Sequence, residues 1–217
     1  NYGLSGSGTD QQYLIWKKYA QNVKADLIVL CVLVENIERN KVAYRQTINP
    51  HTKNLSLTPK PYFDYVKNEL VLKNSPVPRL EDNFLPKNNN MIQSSIPKGQ
   101  EFIYNLVNLW RKSNIFKPIR ENFEESLAKF RAILISNFYQ PYPDYKKHNS
   151  KGFILTQKIL NKFINDLSPT PVIILPIPTY HYYVDGAKPI YSKFFDFFEN
   201  KEKKIFTCNI LKDFKQL

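Results

Sequence analysis

Two positions near the start of the chain combine a useful residue type with a useful place. Asn36 follows the run D-L-I-V-L-C-V-L-V over residues 26–34, with Glu35 between them. A nearly all-apolar run bounded by charged residues reads as a strand buried on both faces, as central parallel strands are. Gly6 lies in N-Y-G-L-S-G-S-G-T-D over residues 1–10, just ahead of a helix expected over residues 11–24. Ligands of open α/β sheets bind outside the carboxyl ends of the strands. A glycine at a helix N-terminus and an asparagine at a strand exit are therefore expected on one rim.

Other constellations are weaker. His181 and Asp185 in H-Y-Y-V-D follow a second expected strand and offer a base and an orienting carboxylate; the ordinary alternative is a bystander loop histidine. Ser5 and Ser7 stand in S-G-S-G, which is not the G-x-S-x-G nucleophile elbow. His51 and His148 have no partner by sequence. The chain holds no H-E-x-x-H or other metal-ligand spacing, no complete dinucleotide fingerprint and no P-loop Gly-Lys-Ser/Thr. Neither a metal nor a cofactor is expected.

The stretch from Asn1 to Asn36 resembles blocks II and III of the SGNH (GDSL-type) hydrolases. Asn1 and Gly6 match the block II Asn and the Gly whose N–H faces the site, and G-T-D-Q-Q-Y-L (residues 8–14) is similar to the helix start that follows. Asn36 matches the block III Asn, although Glu35-Asn36-Ile37 replaces the usual Gly-Asn-Asp. The apolar run P-V-I-I-L-P-I-P (residues 171–178) resembles the family's late core strand. The resemblance implies a flavodoxin-like three-layer α/β/α sandwich with a parallel sheet. It also implies a serine esterase, with the Gly6 N–H and the Asn36 side-chain amide as two donors of an oxyanion hole. Glycine suits the first role because substrate must approach the backbone closely, and asparagine the second because it donates without titrating. The family's nucleophilic Ser and its D-x-x-H base motif are not in this sequence, so only the oxyanion half of the site is assigned and the chain by itself is expected to be inactive. The implied substrate is a small-molecule or glycan ester, with Glu35, Arg39, Tyr180 and His181 as contacts. Tyr182 and Tyr183 could add to an aromatic rim that stacks on a sugar ring; packing is the plain alternative.

The elements that must hold these residues are read as helix, strand, a long insert, helix, strand, helix, and a final strand and helix. Such alternation predicts a parallel sheet with helices on both faces. A single domain over residues 1–217 is expected, with residues 37–150 as a mostly helical insert forming a lid. Within it, residues 63–73 are ambiguous between helix and strand, residues 75–99 read as loop, and residues 100–113 and 118–137 carry helical apolar stripes. The aromatic segment 138–150 reads as a surface loop. Beyond it, a helix is expected over 153–167, a buried strand over 172–175, a helix over 188–200 and an edge strand over 204–207, with Asn209 capping a last helix.

Composition narrows the function classes. The chain has 217 residues and a formal charge of +12, which alone would invite a nucleic-acid partner. Lys outnumbers Arg by 25 to 6, however, and specific recognition leans on the arginine fork. No nucleic-acid partner is expected. No apolar run is long enough to span a bilayer. Cys31 reads as a small buried hydrophobe, and a disulfide to Cys208 is not expected. The sequence starts inside a motif without an initiator Met, as a fragment would. The alternative is a non-catalytic module on the same fold that binds a glycan or anionic polymer; a weaker one is a phosphate-binding domain using the helix start after Gly8.

Overall fold

The computed structural model describes residues 3, 6–48, 55–78, 139–184 and 186–211. Helix α1 (Thr9–Tyr19) starts from Gly8 and follows macrodipole preference, with Asp10 in its first turn and Lys17 and Lys18 in its last. Thr9 and Asp10, residue types that often cap helices, both lie inside the helix. Strand β1 (Ile28–Leu33) and the four-residue helix α2 (Asn36–Arg39) follow. The Gln12 amide donates to the Cys31 carbonyl at 3.0 Å, so α1 lies along β1.

The insert is described only in part. Its described part is largely β: β2 (Tyr44–Ile48) pairs antiparallel with β3 (Leu55–Pro59), and β4 (Tyr62–Val66) with β5 (Glu69–Lys73). Lys67 and Asn68 join the second pair with φ of 49° and 68°. Two consecutive positive φ values give the turn whose twist suits a tight hairpin, and they settle 63–73 as strand. The expected helices over 100–113 and 118–137, and any lid they form, lie outside the described residues.

The aromatic segment is not a surface loop. A 3-10 turn over Pro143–Lys146 carries Tyr145 inward, and Tyr139 and Tyr142 are buried beside it. Helix α3 (Lys151–Leu167) then runs for 17 residues, its Ser150 hydroxyl accepting from the Phe153 N–H. That N-cap satisfies one of the free N–H groups of the first turn. Leu155, Ile159, Leu160 and Phe163 fall on one face and are buried. Strand β6 (Val172–Ile177), short helices α4 (Tyr180–Tyr183) and α5 (Tyr191–Asp196), and strand β7 (Ile205–Thr207) complete the order. The Asn209 side chain accepts from the Leu211 N–H, as its expected capping role requires.

The sheet has the order β1-β6-β7 and is parallel throughout, pairing Ile28 with Val172 through Leu33 with Ile177. An α/β arrangement with a parallel sheet is thus as expected. Two-sided burial of β1 is not. Leu30 and Val32 enter the core, whereas Val29 is 51% exposed and Cys31 is exposed with a free thiol. Side chains alternate along a strand, so the faces separate by parity; composition alone does not reveal that only one is filled.

Tyr145 joins sheet to core. Its ring packs on Tyr191, Phe194 and Phe195, and its hydroxyl donates to the Val34 carbonyl at 2.8 Å. Replacing it with Phe keeps the ring and strips that carbonyl of its donor. Tyr145→Phe is expected to lose about 1–3 kcal/mol in urea unfolding; no change in midpoint would mean the carbonyl has another partner.

Candidate functional site

Parallel pairing in register sends β1 and β6 out at the same edge. Val34 N–H donates to the Ile177 carbonyl at 3.0 Å, so Glu35 and Asn36 emerge beside Thr179 and Tyr180. Tyr142 braces this edge through its hydroxyl to Thr179 Oγ1 at 3.3 Å. Burial pushes its phenol up to about 12, the bond to Thr179 opposes that, and the Glu35 charge adds to the rise.

The glycine turn comes to this edge from the other side. Gly6 has φ +71°, a left-handed conformation that glycine adopts without steric cost, and the Arg45 guanidinium covers it. Gly8 is needed for space: a Cβ there would lie 2.5 Å from Asp10 Oδ1 and 2.7 Å from Asn40 Oδ1. Two bonds dock the turn on the strand exit. Asn36 Nδ2 donates to Thr9 Oγ1 at 3.2 Å, and Arg39 Nη1 reaches the Ser7 carbonyl at 3.5 Å. The segment after Gly6 thus docks on the strand exit through Ser7 and Thr9.

Asn36 is only 1% exposed, and among the described residues its Oδ1 has no hydrogen-bond partner. An unpaired buried polar atom is costly, so it calls for a reason. The Thr9 hydroxyl can donate or accept. It can therefore satisfy either end of the amide: as placed, Nδ2 bonds Thr9 and the unpaired buried end is the acceptor Oδ1, and a half-turn of the carboxamide would exchange the two without losing the Thr9 bond. Among the described residues this buried end of the amide has no partner.

Beneath the turn lies a polar cluster that sequence reasoning missed. Lys60 Nζ meets Asp10 Oδ2 at 2.5 Å, with both side chains at least 96% buried. Asp10 N–H donates to Asn40 Oδ1 at 3.3 Å, and Asn40 Nδ2 donates to Thr156 Oγ1 at 3.0 Å. The Lys60 backbone is fixed too: its N–H donates to the Ala43 carbonyl at 2.9 Å and its carbonyl accepts from Asn74 Nδ2 at 3.1 Å. The cluster ties α1, α2, α3 and the hairpin region together. Burial pushes the Asp10 carboxyl up and the Lys60 amine down, and each partner's charge opposes the other's shift. Asp10 at a helix start and Lys60 between Pro59 and Pro61 are ordinary residue by residue; the signal was in neither alone.

The remaining candidates divide. Glu35 and Arg39 form an ion pair at 3.1 Å, side chains 39% and 27% exposed, at the rim beside Asn36. Tyr180 is 54% exposed and Tyr183 is also open, but Tyr182, expected on the same rim, is fully buried. His181 is buried, with Nδ1 2.9 Å from the Tyr139 hydroxyl and its ring edge-on to Tyr139 and Tyr142. Asp185, its expected partner, lies outside the described residues, as do Ser5 and His51. Ser7 is buried, and His148 packs its ring on Phe153 at 4.8 Å. Among the described residues no three of His, Cys, Asp and Glu gather as a metal site would require, and no helix is long and apolar enough to cross a membrane. Comparison with protein-family models, with curated proteins and with solved structures gives no match to this chain.

Lys60→Met leaves a buried carboxylate without its cation and is expected to cost about 3–5 kcal/mol at neutral pH. With its pKa already raised, the folded variant's Asp10 holds a proton that the unfolded chain has released. Stability then falls as pH rises above the ordinary carboxylate range, so the loss shrinks on acidification. Urea melts at pH 7 and pH 5 check this, with Asp10→Asn/Lys60→Met expected to recover part of the loss. Equal losses at both pH values would show that Asp10 is not the group left unpaired.

Proposed function

We propose that this chain carries the oxyanion-binding half of a serine ester hydrolase of SGNH type, built on that family's three-layer α/β/α sandwich. The observation that carries the reading is Asn36: buried, held through Thr9 against the glycine turn, with one amide end unpartnered. In acyl transfer the carbonyl oxygen gains a full negative charge at the tetrahedral stage. Donors fixed where that charge appears stabilise the transition state more than the ground state. The Gly6 N–H and the Asn36 amide are neutral donors and compete for no proton. The support of Asn36 lies in the core, and a half-turn of its carboxamide, which keeps the Thr9 bond, turns Nδ2 toward the anion.

Attack on the ester also needs a nucleophile and a base that takes its proton. Neither role is assigned to a residue of this chain; the Nδ1 of His181 is engaged with Tyr139. The assigned residues bind and orient. Tyr180, open to solvent at the β6 exit, offers a ring face to a sugar. Glu35 and Arg39 sit where the alcohol part of the ester would rest, and their mutual ion pair leaves hydrogen-bonding atoms on both for hydroxyl groups. An O-acylated carbohydrate fits this set.

Hydrolysis of a p-nitrophenyl ester by the full-length protein tests the reading. Asn36→Ala is expected to lower kcat by about 100-fold or more, the usual effect of removing one oxyanion donor, with KM little changed. A thermal melt separates this from misfolding. An unchanged kcat in a folded variant would remove Asn36 from the mechanism.

A further inference from the structure

A second concave site lies away from Gly6 and Asn36. It is a cavity of about 840 Å³ between the 3-10 turn with the start of α3 on one side and α5 on the other. That size falls within the range of small-molecule sites, which join apolar walls to a few placed polar groups. Tyr145, Phe153 and Phe194 form apolar wall. Gln140 and Gln157 supply amides.

Its charge is one-sided. Lys146, Lys188 and Lys193 line it and are exposed, His148 stands with them, and no Asp or Glu is among the lining residues. Among the described residues none of the three lysines forms an ion pair, whereas Lys41 and Lys60 elsewhere are paired with carboxylates. Like charges around a low-dielectric concavity focus a positive potential and raise the local concentration of anions. Lysine ammonium groups act as point charges, which suits single carboxylates or phosphates more than a planar fork would.

Phe197 adds a second independent feature. It lines the same cavity, yet it is 68% exposed. It therefore presents an uncovered aromatic face beside three unpaired cations. A flat apolar surface next to positive charge fits a ligand with the complementary parts: a ring with one apolar face, and an anionic group on it.

We propose that this cavity binds a small anionic ring compound, the anion held by Lys188 and Lys193 and the ring face by Phe197. An acidic saccharide and a nucleoside phosphate share that chemistry. The site uses none of the residues assigned to ester chemistry, so it stands or falls separately.

Isothermal titration of the full chain tests it with three probes: a uronic-acid tetrasaccharide, adenosine monophosphate, and a neutral tetrasaccharide of the same length. At least one acidic probe is expected to bind with a submillimolar Kd, and the neutral one at least ten times more weakly. Binding by the uronate alone identifies a saccharide site, and binding by the nucleotide alone a nucleotide site. Lys188→Glu/Lys193→Glu is expected to weaken binding at least tenfold and Phe197→Ala about fivefold, with melting temperatures unchanged because all three side chains are exposed. The absence of binding by both acidic probes at millimolar concentration would overturn the proposal. So would affinity that survives both variants, which would reflect only diffuse attraction to a surface of net charge +12.

Discussion

The contact between Asp10 and Lys60 is the constraint on which the upper edge of the sheet depends. Two charges have been taken out of water, and only each other's field and the surrounding hydrogen bonds offset that cost. The groups around them come from different elements: Asn40 after α2, itself bonded to Thr156 in α3, and Ala43 and Asn74 on the Lys60 backbone. Gly8 is a glycine because a larger residue would push into this cluster. The turn that carries Gly6 is therefore anchored from below by ionic contacts before it meets Asn36 from the side.

Under the proposed esterase reading, anchoring of that kind has a functional sense. Donors that stabilise a developing anion must already be aligned when the charge appears. A loop of glycines would by itself be too mobile to hold an N–H in place. Here the loop is two residues from a buried ion pair and is bonded to Asn36 and Arg39 of α2. The freedom that glycine brings is used for shape, and the surrounding polar contacts remove the motion.

Elements that rely on local pattern were legible in the sequence. The strands at 28–33, 172–177 and 205–207 and the long helix α3 lie close to where apolar runs and proline stops put them, and the parallel pairing follows from their alternation with helices. What escaped depended on partners far along the chain. Lys60 is a buried cation only because Asp10 lies 50 residues away. The first hairpin, with Arg45, Gln46 and Thr47 in β2, has too little apolar periodicity to announce a strand. Tyr180, Tyr182 and Tyr183 look alike in sequence, and a short helix turns one inward and two outward. Cys31 was read from the apolarity of its neighbours, but parity places it on the open face.

The central claim is that the Gly6 N–H and the Asn36 side-chain amide serve one anion. Nuclear magnetic resonance of the 15N-labelled full-length protein addresses it directly, with an alkyl phosphonate as the tetrahedral oxyanion mimic. Both the Gly6 backbone signal and the Asn36 side-chain signals should move along a single saturation curve, while Asn74, which bonds the Lys60 carbonyl, stays still. Movement of only one of the two, or two curves with different midpoints, would contradict a shared site.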